Sequence, residues 1–342
     1  MKDRVLKQLH LLSYWSGLSS LYARFKHEGA ATILMYHSIP AAHESEWIDP
    51  CNCMTADDFE KQVAFLANSR YVVSIKQLTQ QLECGEPIRK GTVAITFDDG
   101  YLNNLTVAAP ILAKYNLPAT LYLATSYIET GKNQWIDTLY SAFRARSQHR
   151  LMLDELGKWT LSDKVQRQAA YAAIASYLIE ASVEQRQSLL ATIDSQLAPT
   201  AYPPRLTMNW DEVRQMQQQY PNITLGVHTA NHIDLSTHPN KTAQEMQMSI
   251  QHMLAATGTR PELLAFPYNR YNRQAQAAVA ATSLRSAAAV SDSDPAVRSD
   301  TSRYALPRLE APQSMWILKS WTNGGFPDVS QFLFRRIWTQ PY

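Results

Sequence analysis

Apolar residues recur along the chain in short runs, and most runs stop at a polar residue. "ATILMYHS" reads as a strand halting at His37, and "TVAITFDDG" as one halting at Asp98 and Asp99. "ATLYLATS" stops near Thr125, "ITLGVHTANH" at His228 and His232, and "LLAFPYN" near Tyr268. "YVVSI", "SAAAVS" and "YALPRLEA" complete eight strand candidates. Between most of them the spacing turns helical: Phe59, Val63 and Leu66 share one face, as do the apolar positions of "AAPILAKYN" and "TAQEMQMSIQHMLAATG". Gly258 stands where the last of these helices should stop.

Strands alternating with helices predict parallel βα units, and polar residues gathered at strand ends predict an active rim. About eight strands suit a closed or nearly closed α/β barrel. One region breaks the alternation. From about 127 to 205 no strand pattern stands out, and Trp135, Ile136, Leu139, Tyr140 and Phe143 keep helical spacing. Pro203 and Pro204 close this tract before "LTMNWDEVRQM" resumes with a capped helix. The tract reads as a helical insertion in one domain spanning 31–312, flanked by a helical segment at 1–30 and a helical tail at 313–342.

The termini carry a separate signal. Leu11, Leu12, Tyr14, Trp15, Leu18, Leu21 and Tyr22 can share a broad apolar face, and the tail ends in "SQFLFRRIWTQPY". Peripheral membrane contact through the termini is therefore an expectation. Neither a cleavable signal pattern nor an 18-residue apolar run is present.

Composition narrows the class. Of 342 residues, 45% are hydrophobic and 18% charged, which is globular. A net charge of +2 without a basic run gives no reason to expect nucleic acid as a partner. Cys51, Cys53 and Cys84 are odd in number and lack zinc-site spacing, so they read as reduced thiols. The expected location is cytoplasmic, at most peripheral to the inner face of the membrane.

The chemistry starts from Asp98 and Asp99. Neighbours on a regular strand point to opposite faces, so both reach one cavity only where the strand breaks, and Gly100 permits that. One carboxylate can then bind a cation while the other faces substrate. His228 and His232 are four apart, which brings both imidazoles to one side if the segment turns helically. Two histidines and one carboxylate with open positions make a common site for zinc and related ions. Such an ion would also stabilise the adjacent carboxylate charge. The motifs G-x-S-x-G, G-x-x-x-x-G-K-[ST] and G-x-G-x-x-G are absent.

"TFDDGY", "HTANH" and "FPYN", in that order, resemble the first three motifs of the polysaccharide deacetylase family, also called NodB-homology or carbohydrate esterase family 4. The resemblance covers roughly 33–312. It implies a distorted (β/α) barrel and metal-dependent removal of N- or O-acetyl groups from a saccharide or glycan precursor; whether that partner is lipid-linked is not written in the sequence. It further implies Asp98 as general base and Asp99, His228 and His232 as ligands of a divalent ion, most simply Zn2+. The backbone N–H of Tyr268 would bind the oxyanion.

Two positions depart from the family pattern. Ala265 stands where many members have arginine, and the late Leu-x-His motif is missing. "ILMYHSI" and "LPRLEA" resemble the circularly permuted members typified by poly-N-acetylglucosamine deacetylases. That resemblance implies His37 as general acid and Arg308 as the group orienting Asp98. Rival readings are an amidohydrolase acting on a small non-sugar amide and a sugar-binding pseudoenzyme of the same fold. Trp47, Trp135 and Trp210 are candidate sugar-stacking residues, Trp135 first among them.

Overall fold

The computed structural model describes residues 29–291 and 294–323. Its first half runs β1 (Ala31–Tyr36), α1 (Ala56–Ser69), β2 (Tyr71–Val73), α2 (Ile75–Cys84), β3 (Thr92–Phe97), α3 (Ala109–Lys114), β4 (Ala119–Leu123) and α4 (Thr125–Thr130). Then come α5 (Trp135–Ala145), β5 (Arg150–Leu153), β6 (Gly157–Thr160), α6 (Lys164–Glu180) and α7 (Val183–Leu197). The chain continues through α8 (Trp210–Gln219), β7 (Ile223–Val227), α9 (Thr242–Thr257), β8 (Leu263–Ala265), α10 (Arg273–Ala280), β9 (Ser286–Val290), β10 (Ala296–Val297), β11 (Leu306–Glu310) and α11 (Met315–Trp321).

All eight strand candidates are strands. Seven of them close a parallel barrel in the order β1, β3, β4, β7, β8, β9, β11 and back to β1. The eighth, β2, stays outside the ring. It pairs with the first half of β3, while β4 meets β3 only at Thr96 and Phe97. The barrel is therefore distorted at that flank.

Strand alternation sorts side chains into two layers. Val93, Ile95 and Phe97 of β3 pack outward with Phe59, Val63 and Leu66 of α1. Ala94 packs inward with Ala31, Ile33, Tyr122, Leu263, Ala265, Ala288 and Leu306. So many alanines fit because a seven-stranded ring is narrow and Tyr122 already fills much of it. Gly226 makes the room: a Cβ there would meet the Tyr122 ring at 2.7 Å and the Leu263 carbonyl oxygen at 2.8 Å. Backbone cannot retreat, so Gly226→Ala should cost about 1–3 kcal/mol of stability, measured by denaturant unfolding.

Helix stops and starts follow the expected chemistry. Gly258 ends α9 with φ 69°. Asn209 and Glu212 form a reciprocal capping box at the start of α8.

The tract 127–205 is not purely helical, and this corrects the sequence reading. β5 and β6 form an antiparallel hairpin between α5 and α6. β5 alternates exposed and buried residues over only four positions, too short a signal to stand out in a tract rich in helix formers. Leu139, Phe143, Leu151, Leu153, Ile174, Leu178 and Ile193 give this tract an apolar cluster of its own. The apolar faces proposed at 11–22 and 330–342 lie outside the described residues. Among the described residues, no helix is long and apolar enough to cross a membrane.

Candidate active site

β3 delivers Asp98 and Asp99 to the C-terminal rim of the barrel. The Asp98 N–H donates to the Tyr36 carbonyl at 3.0 Å, so this residue still follows the strand. The break comes at Asp99, with φ 75°, one residue earlier than the glycine alone would place it. Gly100 continues it with φ 87°, and a Cβ there would strike Ile128 and Leu123. Two consecutive left-handed residues turn both carboxylates toward one cavity.

His228 and His232 converge without a helix, which corrects the expected route. The segment after β7 is an irregular loop in which Thr229 has φ 62° and His232 φ 50°. Glu245, buried on α9, holds the loop by accepting from the Ala230 N–H, the Asn231 N–H and the Asn231 amide at 3.0, 2.9 and 2.7 Å. Tyr268 and Asn269 after β8 are also left-handed, with φ 55° and 58°. Among the described residues seven non-glycine residues have positive φ, and five of them are in this site. Each such residue costs about 1–3 kcal/mol, so the surrounding structure must hold them.

The ligand atoms of Asp99, His228 and His232 all lie within 4.8 Å of one another. Asp99 Oδ1 stands 3.1 Å from His232 Nε2 and 3.6 Å from His228 Nε2. Donors about 2.0–2.1 Å from a tetrahedral ion sit about 3.3 Å apart, and these two separations lie close to that. Polarity agrees. Asp99 Oδ1 is buried and meets no hydrogen-bond partner within bonding geometry. His228 Nδ1 is 2.8 Å from the Ala265 carbonyl oxygen, which can only accept, so Nδ1 carries the proton and Nε2 keeps its lone pair. Burial pushes the His228 pKa down to about 4, despite Asp98 nearby, and the ring is neutral at pH 7.

Asp98 belongs to a different arrangement. Arg308 on β11 meets it in a two-pronged pair, with both N–O distances 2.8 Å and both residues buried. Burial favours the neutral acid, but Arg308, and then His228 and His37, hold the Asp98 carboxyl below the usual carboxylate range. The same guanidinium lies 3.3 Å from Asn269 Oδ1 and 5.6 Å from the centre of the Tyr122 ring. β8 carries Ala265 at the position in question, and the guanidinium that pairs with Asp98 comes from β11.

His37 follows β1 directly, and its carbonyl accepts from Asn104 Nδ2 at 2.8 Å. Its ring is near enough to depress the pKa values of both aspartates. All seven sequence-predicted site residues therefore stand at the same rim. The tryptophans do not behave as open sugar walls. Trp135 is buried, and its Nε1 donates to the Tyr268 hydroxyl at 2.8 Å. Trp210 is buried against Glu129, and Trp47 packs beneath Arg144. Gln134, Arg186 and Glu245 also support the site. No local pattern singles them out, because each acts on residues far away in sequence.

A family model for polysaccharide deacetylase matches residues 85–287. The chain belongs to the polysaccharide deacetylase family. One curated relative is YxkH of Bacillus subtilis (strain 168), whose own assignment as a polysaccharide deacetylase is provisional. It is 32% identical over 92 residues, covering 27% of this chain and 30% of the relative. The fold is shared with solved deacetylases. The Streptococcus pyogenes deacetylase PplD, solved with acetate, superposes with TM-score 0.58 at 18% identity, over 87% of this chain and 99% of that one. IcaB from Ammonifex degensii gives 0.57 at 12% identity, over 87% and 98%. A de-N-acetylase from Aggregatibacter actinomycetemcomitans gives 0.54 at 18%, over 89% and 99%.

Proposed function

We propose that this protein hydrolyses acetyl groups, N-acetyl foremost, from a saccharide or glycan precursor, and that it uses one divalent ion to do so. The observation that carries this reading is the division of labour between adjacent aspartates. Asp99 faces two imidazole Nε2 atoms, while Asp98 is turned onto Arg308.

Amide hydrolysis needs an activated water, a place for negative charge on the carbonyl oxygen, and a proton for the departing amine. A zinc ion held by Asp99, His228 and His232 would supply Lewis acidity toward both the acetyl oxygen and water. Asp98 takes the proton from the attacking water; Arg308 fixes its orientation and keeps it ionised. The Tyr268 N–H donates to the oxyanion, a contribution worth about 3 kcal/mol for one well-placed donor. His37, as imidazolium, protonates the leaving sugar amine. Base and acid need opposite protonation states, so the rate should be bell-shaped in pH.

The test follows acetate release from N-acetylated oligosaccharides and from small acetylated amides, using protein stripped of metal and reloaded with zinc. Reloading should restore release from the sugars. His228→Ala should lose both the ion and activity. Release that persists in the stripped protein, or that occurs only on the small amides, would remove this reading. Lipid-linked precursors enter the same assay as a separate substrate.

A further inference from the structure

The insertion touches the ion site at its most strained points. Gln134, just before α5, places its side-chain amide 3.3 Å from the carbonyl of Asp99, whose φ is 75°. Arg186, in the first turns of α7, is buried and donates through one nitrogen to the carbonyls of His232 and Asn231 at 3.1 and 3.3 Å. Its Nε donates to the Leu178 carbonyl, which ties the guanidinium to α6. The His232 carbonyl, at a residue with φ 50°, also accepts from the Tyr268 hydroxyl at 3.0 Å. That hydroxyl is held by Trp135, over whose ring the Arg186 guanidinium lies at 5.2 Å. Tyr268 itself packs against the insertion's apolar cluster.

Two ligands, Asp99 and His232, are thus left-handed, and each offers its carbonyl to an insertion side chain. A left-handed aspartate or histidine relaxes toward extended backbone once its restraints are gone. Such relaxation would swing the ligand atom away by more than an ion bond tolerates, which is about 0.2 Å. We propose that the insertion is a brace for the ion site, and that Gln134, Trp135 and Arg186 are positioning residues that hold Asp99 and His232 in ligating geometry. Arg186 matters most, because it joins two loop carbonyls to two helices and an indole ring. This role rests on the ion-binding reading above.

The experiment measures zinc affinity of the full chain by competition with a chromophoric chelator, alongside the melting temperature of the metal-free protein. Wild type must bind one zinc; if it does not, the ion-binding reading fails and not the brace alone. Given that, Arg186→Met should weaken zinc binding by about 10- to 100-fold, the usual effect of losing a group that orients ligands. Arg186→Lys, which keeps a donor and the charge, should recover part of the loss. Trp135→Phe keeps one aromatic face but removes the Nε1 donor together with the five-membered part of the indole, and should weaken zinc by a smaller factor. It serves as the gentle variant if Arg186→Met does not fold. A brace predicts that affinity changes exceed what the metal-free melting temperatures account for. Zinc affinities within twofold of wild type in the folded variants, or losses that merely track melting temperature, would overturn it.

Discussion

Asp98→Asn should reduce acetate release by about 10²–10⁴-fold, the range for loss of a general base. The amide cannot take a proton from water, yet it nearly matches the carboxylate in shape and can still accept from Arg308. The change has a structural cost, because Arg308 is fully buried and loses its counter-charge. Far-ultraviolet circular dichroism and a melting curve on the same preparation separate a lost proton acceptor from a lost fold. A folded variant that releases acetate within tenfold of wild type would move the proton to another group.

Arg308→Met should do more damage to the fold and change its pH dependence. Methionine fills similar volume but leaves Asp98 buried without its guanidinium. Breaking one partner out of a buried pair costs about 3–5 kcal/mol. In wild type the Asp98 pKa is lowered, so the pair's stability is fully present above the unfolded carboxylate pKa of about 3.9. It is lost as pH falls through the lower folded value. In the variant, burial acts without Arg308 and the folded pKa rises. The folded state then holds a proton that the unfolded state has released, and stability falls as pH climbs through the carboxylate range. Melting temperatures from pH 3 to 8 should therefore diverge most at the alkaline end. The acid limb of the pH–rate profile should move to higher pH for the same reason. A variant whose melting curve parallels wild type across that range would show that Arg308 does not govern Asp98.

The barrel was legible because its strands announce themselves twice, as apolar runs and by ending in chemistry. "TVAITFDDG" shows both: inward and outward residues alternate through Phe97, and the carboxylates follow at the rim. The same logic found His37 and His228. It could not show that β2 flanks the ring, because ring membership depends on which neighbour reaches each half of β3. The hairpin at 150–160 was missed because four alternating residues weigh little beside long helix-forming stretches on both sides. The two histidines met as expected but by another route, since left-handed φ at threonine and histidine leaves no mark in the sequence. Arg308 was anticipated by resemblance, and its bidentate geometry came only with the fold. Gln134, Arg186 and Glu245 had no signal at all: their partners lie 35, 46 and 14 residues away, and apart from the Asn231 amide on Glu245 these contacts reach backbone groups rather than a partner whose type could be read.

The division of labour between the paired aspartates is tested most directly by titrating zinc calorimetrically into metal-free wild type, Asp98→Asn and Asp99→Asn. One ion per chain should bind to wild type and to Asp98→Asn with affinities within about tenfold of each other, while Asp99→Asn should lose binding by at least a hundredfold, beyond the usual range for an outer-shell change. Equal loss in both variants, or retention by Asp99→Asn, would contradict the account.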